Sequence, residues 1–162
     1  MISKTMQDAI NKQINAELYS SYMYLAMAAY FESENLKGAA KWMRKQAQEE
    51  NVHAMKFFDF INDRMGRVTL TAIDAPKTEW KSALEAFEEA FAHEQKVTGL
   101  INDLMTQAQK EKDHASAEML QWFVKEQVEE EASADEVVNQ LKMVGESKSS
   151  LLMIDHHLGK RE

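Results

Sequence analysis

Residues 65–82 read MGRVTLTAIDAPKTEWKS and interrupt an otherwise helical pattern with the only proline of the chain, Pro76. At up to about 3.3 Å per residue, a segment of this length can span roughly 60 Å. A helix of about 27 residues is shorter, at roughly 40 Å. The segment can therefore cross a whole helical bundle, and such a crossing leaves the helices before and after it parallel.

Three local features indicate how this segment begins and ends. Gly66 is expected at the C′ position after the preceding helix, where glycine is common. Val68–Thr71 has the β-branched character of a strand. Ser82 and Glu85 have the spacing of a capping box, which predicts that the next helix begins here.

Apolar residues recur at helical spacing through the rest of the chain, and turn residues divide them into five segments. Short connections at 34–36 and 111–113 make the first two and the next two segments antiparallel hairpins. Asp113 is a candidate N-cap for the fourth helix. The sequence predicts an all-α four-helix bundle with one long crossover loop and a short fifth C-terminal helix. The predicted helices are Thr5–Ser33, Lys37–Arg64, Ala83–Lys110, His114–Gly145 and Lys148–Leu158.

The composition fits one domain and excludes several classes of protein. A chain of 162 residues with five glycines and one proline suits a single helix-rich domain. The net charge of −8 argues against nucleic-acid binding, which needs a basic face. No stretch is long and apolar enough to span a membrane, and no signal peptide is visible, so the cytoplasm is expected. The absence of cysteine excludes thiolate metal sites and disulfides.

The inward-facing stripe of each long helix is interrupted near its middle by polar side chains, when it is followed in steps of three and four residues. These side chains are Glu17, Glu50, His53, Glu94, Gln127 and Glu130. Glutamate is almost never fully buried without a partner, and no lysine or arginine lies on any of the four stripes. Bound cations are therefore expected to compensate the buried charge.

The types of ligand favour two hard or borderline metal ions. Carboxylates with one imidazole suit Fe(II), Mn(II) or Zn(II). Carboxylates can also bridge two ions about 3.5–4 Å apart, and Glu50, beside His53, is the best candidate for a bridge. A single Glu-x-x-His pair is often only an exposed helix face. Four stripes interrupted at the same level are much harder to explain without metal.

Three motifs that carry these residues resemble the prokaryotic non-haem ferritins: QINAELY at 13–19, EENVHA at 49–54 and EQVEEE at 126–131. The resemblance covers the whole chain and implies a single ferritin-like diiron domain over residues 1–162. It implies a ferroxidase that oxidises Fe(II) with O2 or H2O2. The product would be stored as hydrated ferric oxide inside a shell of 24 identical subunits.

The resemblance also implies the role of each residue. One iron would bind Glu17, Glu50 and His53, and the second would bind Glu50, Glu94 and Glu130, with Gln127 beside the centre. Tyr24 matches the family's tyrosine next to the two irons, although an aromatic residue packed in the core would give the same pattern. A third site would consist of Glu49, Glu126, Glu129 and Glu130, for which a solvated acidic face is the alternative.

Neighbouring families match less well. Bacterioferritin has a second Glu-x-x-His where this chain has Gln127 and Glu130, and its haem-ligating methionine falls at Asn51, so no haem is expected. Rubrerythrins need a cysteine-built module, and DNA-protecting mini-ferritins place their ligands at a dimer interface. The acidic residues of animal ferritin pores align with Ala117 and Leu120, which leaves the route of iron uptake open.

Two other functions remain compatible with the pattern. A diiron-carboxylate oxidase or oxygenase that does not store iron would need an apolar substrate pocket next to Glu94. A purely structural bundle would bind no metal. Apolar residues outside the bundle core favour assembly into an oligomer: a monomer would leave Leu151–Ile154 on the short last helix partly exposed, and Tyr19, Tyr22 and Met23 lie away from the inward stripe of the first helix. The alternative is a last helix that folds back onto its own bundle.

Overall fold

A computed structural model describes residues 1–162, which form five α-helices and no strand. The helices are α1 Lys4–Ser33, α2 Lys37–Asp63, α3 Ala83–Glu111, α4 His114–Val144 and α5 Lys148–Leu158. Every end lies within one residue of its predicted position. None of these helices has both the length and the hydropathy that are needed to cross a membrane.

The loop between α2 and α3 runs the length of the bundle. At its start, the Ile2 N–H donates to the Arg64 carbonyl at 3.0 Å, beside the beginning of α1. At its end, Trp80 packs against Tyr30 near the end of α1, with ring centroids 5.4 Å apart. The loop thus returns the chain to the end of the bundle where α2 began. This makes α2 and α3 parallel, as the length of the loop predicts.

Two asparagines on α1 hold the middle of this loop. Asn11 Oδ1 accepts from the Thr69 N–H at 2.9 Å, and Asn15 Nδ2 donates to Thr71 Oγ1 at 3.0 Å. These side chains provide hydrogen bonds that a neighbouring strand would otherwise supply. The strand-like segment Val68–Thr71 therefore forms no strand and lies against a helix instead.

Gly66 does not occupy the C′ position that the sequence predicts for it. Met65 has the left-handed backbone after α2, with φ of 59°. The Gly66 N–H donates to the Ile61 carbonyl at 2.9 Å, which makes a Schellman motif with Met65 at C′. A Cβ on Gly66 would lie 2.9 Å from side-chain atoms of Gln7, Ile2 and Ile61. Close packing and not the backbone angle therefore favours glycine here, because a larger residue would push these side chains aside.

Side-chain caps begin α3 and α4 as predicted. Ser82 Oγ accepts from the Glu85 N–H at 3.1 Å, and Asp113 Oδ1 accepts from the Ser116 N–H at 3.2 Å. The return bond of the capping box differs, because Glu85 accepts from the amide of Lys81 rather than from that of Ser82. Both caps satisfy helix N–H groups that have no carbonyl partner.

A polar layer divides the bundle core into two apolar halves. Phe31 and Phe87 lie in one half, and Phe57 and Ile101 lie in the other. The buried polar side chains of the four long helices lie between them. Tight packing on both sides fixes the relative positions of the helices, and therefore of the polar groups between them.

Helix α5 packs on the beginning of α2. Asp155 Oδ1 accepts from the Ala39 N–H at 2.8 Å and so caps α2, whose own N-cap residue makes no side-chain hydrogen bond. A Cβ on Gly38 would lie 1.7 Å from the Asp155 carbonyl oxygen, so only glycine fits at this contact. The side of α5 that faces away from the bundle leaves Leu152 and Met153 exposed, at 60% and 74%.

Candidate metal centre

The six polar side chains predicted on the inward stripes converge in the middle of the bundle. Each of them is at most 6% exposed: Glu17, Glu50, His53, Glu94, Gln127 and Glu130. None of the four glutamates forms an ion pair with a lysine or an arginine. The helices therefore bring four carboxyl groups together without any compensating cationic side chain.

These ligand atoms form two overlapping groups. Glu17, Glu50 and His53 each offer an atom within 4.8 Å of the others, and so do Glu50, Glu94 and Glu130. Glu50 belongs to both groups. Each group could hold one metal ion, and the Glu50 carboxylate would then be a ligand in both.

The His53 ring is held between the centre and the outer side of α2 and α4. Its Nδ1 lies 3.3 Å from Glu50 Oε2, and its Nε2 lies 3.8 Å from Glu126 Oε1. Trp122 and Phe123 pack edge-on against the ring, with centroids 5.4 and 6.0 Å away. This packing fixes the plane of the imidazole, so that Nδ1 faces the carboxyl group of Glu50.

Two glutamines that were not assigned a role orient the carboxyl groups. Gln13 Nε2 donates to Glu17 Oε1 at 2.8 Å, and Gln46 Nε2 donates to Glu50 Oε1 at 3.0 Å. Gln46 also donates to Glu130 Oε2 at 2.6 Å. The signal was present in the sequence, because each glutamine stands four residues before its glutamate, on the same face of the helix.

A chain of hydrogen bonds supports the Glu94 carboxyl group from α4. Gln127 Nε2 donates to Glu94 Oε2 at 3.2 Å and to Thr98 Oγ1 at 3.3 Å. The Thr98 hydroxyl in turn donates to Glu131 Oε1 at 2.6 Å. The amide nitrogen of Gln127 is thereby directed at Glu94. Sequence patterns do not reveal this chain, because it joins two helices through side chains of unrelated spacing.

Tyr24 is fully buried, and its hydroxyl donates to the other oxygen of Glu94, Oε1. Burial raises the pKa of Tyr24 well above its usual value, and the nearby charges of Glu94 and Glu50 add to the effect. The tyrosine therefore remains a neutral phenol and a hydrogen-bond donor. Both oxygens of Glu94 are held in place, one from α1 and one from α4.

The carboxyl groups of the centre retain protons more strongly than exposed glutamates do. Burial raises the pKa of Glu17 and of Glu50 well above the usual value, and repulsion between neighbouring carboxylates raises both further. Burial, followed by the charge of Glu94, raises the pKa of Glu130 to about 7. A cation that binds here must displace protons. Glu17 Oε2 is also buried without a hydrogen-bond partner, as expected for an atom that binds an ion.

The metal-free protein is therefore expected to lose stability as the pH rises from about 5 to about 7.5. A carboxyl group with a raised pKa binds more protons in the folded state than in the unfolded state, where its pKa is about 4.3. Protonation thus favours folding at the lower end of this range, and the benefit is lost as the pH passes the folded pKa of Glu130, about 7. Thermal melts of chelator-treated protein measure the effect.

Glu130→Gln is the control for this expectation, because it keeps the size of the side chain and removes one titrating group. The variant should show a weaker fall in melting temperature between the same pH values. The size of the oligomer is checked at each pH. A wild-type melting temperature that stays constant or rises across the range would contradict the expectation.

The outer acidic residues converge only in part. Glu126 forms a group with His53 and one glutamate of the centre. Glu49 Oε2 instead accepts from Arg161 Nη2 at 2.7 Å. Glu129 is exposed and belongs to no such group. Of the three outer glutamates predicted for a third site, the structure brings one beside the centre.

Comparisons with known proteins identify relatives over the whole chain. A family model for the ferritin-like domain matches residues 7–144. A bacterial non-heme ferritin of Bacteroides fragilis is 45% identical over 161 residues, which cover 99% of this chain and 100% of the relative. A bacterial non-heme ferritin of Staphylococcus saprophyticus is 41% identical over 161 residues, which cover 99% of this chain and 96% of the relative. The crystal structure of an open pore ferritin from Archaeoglobus fulgidus is 52% identical, with a TM-score of 0.99 and full coverage of both chains.

Proposed function

The chain belongs to the ferritin family, and we propose that its buried carboxylate layer is a ferroxidase centre for two iron ions. The protein is an iron-storage ferritin that oxidises Fe(II), as members of this family do. The observation that carries the two-ion proposal is the pair of ligand groups that share Glu50. Residues 1–162 are proposed to form one ferritin-like domain around this centre.

Charge balance supports two ferrous ions. With all four glutamates ionised and His53 neutral, the centre has four negative charges, which match two Fe(II) ions. Glu17, Glu50 and His53 would bind the first ion. Glu50, Glu94 and Glu130 would bind the second, with Gln127 and Tyr24 orienting Glu94. Binding displaces the protons that burial holds on these carboxyl groups.

Two adjacent ions suit the oxidant, because the reduction of O2 to H2O2, or of H2O2 to water, consumes two electrons. Two Fe(II) ions supply two electrons, and two protons convert O2 into H2O2 or H2O2 into two water molecules. Carboxylate ligands stabilise Fe(III) more than Fe(II), because the higher charge interacts more strongly with anionic oxygen. The ferric product would then move to the shell interior and join a hydrated oxide mineral.

Glu130→Ala is expected to leave the first ion bound and to weaken the second. Glu130 lies in a group with Glu50 and Glu94, and in another with His53 and Glu126, but in none with Glu17. Anaerobic calorimetric titration with Fe(II) should show about one tight ion per chain in place of about two. Glu136→Ala on the exposed face of α4 removes the same group outside the centre and should leave the number unchanged. Equal stoichiometry in wild type and Glu130→Ala would place Glu130 outside the ligand set.

We also propose a third, weaker ion site on the outer side of the centre. Glu126 is its best-supported ligand, since its carboxyl group lies within reach of Glu130 and His53. Glu49 and Glu129 would complete the site after movement of their side chains. Haem is not part of the proposal, because Asn51 occupies the position of the haem-ligating methionine.

Assembly into a 24-subunit shell in the cytoplasm is proposed from the likeness to prokaryotic ferritins. Large apolar side chains that a single chain leaves in water support it. Tyr22 and Leu25 on α1 are 49% and 51% exposed, and Leu70 in the crossover loop is 64% exposed. Together with Leu152 and Met153 on α5, they offer apolar surface for contacts between subunits. The expectation for Met23 was wrong, because its side chain is buried in the bundle core.

A substrate-oxidising diiron enzyme is not favoured. Such an enzyme would need a cavity beside Glu94, but the core around the centre is filled by Tyr24, Phe57 and Phe123. Glu94 lines none of five surface cavities on the bundle, and the one that approaches it most nearly is separated from it by Gln127. The relatives over the whole chain are ferritins.

A further inference from the structure

The C-terminal tail places an arginine against Glu49, one of the three outer glutamates. Arg161 Nη2 donates to Glu49 Oε2 at 2.7 Å, and the guanidinium group stacks on Trp42, 4.4 Å from the ring centroid. The Arg161 side chain is 22% exposed, and its Nη1 is buried without a hydrogen-bond partner. A cation that belongs to the chain itself is therefore already paired with Glu49.

The tail has its own attachment to the bundle, apart from Arg161. Asp155 caps α2, Lys41 Nζ donates to the Gly159 carbonyl at 2.9 Å, and Leu158 is buried in the core. Arg161 lies three residues beyond Leu158, where its N–H donates to the Leu158 carbonyl at 3.3 Å. The arginine is thus held near Glu49 by a short tether, and it can leave Glu49 without undocking α5.

Glu49 lies beside ligands of the centre. Its side chain lines one surface cavity together with His53 and Glu126, so a cation in that cavity would interact with all three. The positive guanidinium group of Arg161, bound to Glu49, offsets the negative charge of that carboxylate. It also repels a metal ion that approaches Glu126 and Glu130. Arg161 and an outer metal ion therefore compete for the same negative charge.

We propose that Arg161 is a tethered counter-ion that competes with a divalent cation for Glu49. Binding of the outer ion then requires Arg161 to leave Glu49 and Trp42. The arginine keeps the outer site weaker than the two inner sites, and it couples loading of the outer site to release of the end of the tail. The inference rests on the third ion site proposed above.

Calorimetric titration with Zn2+ tests the competition, because Zn2+ binds oxygen and nitrogen ligands without redox chemistry. In Arg161→Gln, the outer ion should bind roughly five-fold tighter, as expected for loss of a partly exposed ion pair. The two inner ions should be unchanged. Lys160→Gln removes the same charge from the neighbouring exposed residue and should behave like wild type. Adding Glu49→Gln to Arg161→Gln should abolish the gain.

Hydrogen exchange of the wild-type chain gives a second, independent readout. Amides at 159–162 should exchange faster once the outer ion binds, while those of α5 stay protected. The test uses the native chain, so it stands even where Arg161→Gln disturbs the docking of α5. Equal outer-ion affinity in Arg161→Gln and Lys160→Gln, or unchanged exchange at 159–162, would overturn the proposal. Failure of wild type to bind two tight inner ions would instead reject the two-iron centre.

Discussion

Glu50→Ala is expected to abolish fast Fe(II) oxidation while the helical fold remains intact. Glu50 is the only residue common to both groups of ligands, so its loss removes an oxygen ligand from each of the two ions. Loss of even a group that merely supports a metal ligand typically costs about 10–100-fold, and a shared ligand should cost more. Stopped-flow absorbance of ferric product after mixing with aerobic Fe(II) measures the rate.

The metal-free form of this variant should melt at or above the wild-type temperature. In the wild type, Glu50 is buried beside Glu94 and Glu130, and its pKa is raised by burial and by repulsion from both. Asp59→Ala is the matched control, because it removes an exposed carboxylate from the same helix. A Glu50→Ala variant that melts well below wild type and still oxidises Fe(II) at the normal rate would reject this role for Glu50.

Deletion of residues 147–162 is expected to break up the shell and to reduce retained mineral more than it slows oxidation. The deletion removes the exposed Leu152 and Met153 and the Asp155 cap on α2, but no ligand of the two-ion centre. Light scattering gives the size of the particle, and iron that co-elutes with protein gives the retained mineral. The initial oxidation rate is measured on the same samples.

The double variant Leu152→Glu, Met153→Glu tests the role of α5 in shell assembly separately from its packing on α2. Both side chains face away from the bundle, so the double variant keeps the contacts of α5 with α2 and changes only the exposed face. It should disrupt the shell nearly as much as the deletion does. Shells of full size in both variants would show that α5 serves its own bundle and not the contacts between subunits.

Most of the fold could be predicted from the sequence, because hydrophobic periodicity and turn residues determine helix ends. The crossing of the bundle by residues 65–82 followed from length alone. Errors arose where a local pattern was decided by distant contacts. Val68–Thr71 looks like a strand but bonds to asparagines of α1, and Gly66 is small because Ile2 and Gln7 crowd it.

The position of the centre could also be predicted, because helical periodicity places each of its glutamates on the inward-facing stripe of its helix. The supporting groups were less visible. Gln13 and Gln46 could have been found from their spacing to Glu17 and Glu50. The contact of Arg161 with Glu49 could not, because it joins residues far apart in the chain through a tail that has no periodic pattern of its own.

Anaerobic Fe(II) titration of the metal-free protein, followed by exposure to air and size-exclusion chromatography, tests the central claim most directly. Two tight Fe(II) ions per chain are expected before air is admitted, with additional weaker binding at the outer site. After oxidation, the iron should elute with a large protein shell. Fewer than two tight ions per chain, with ferric iron that precipitates or elutes apart from the protein, would contradict a two-iron ferroxidase centre in a storage shell.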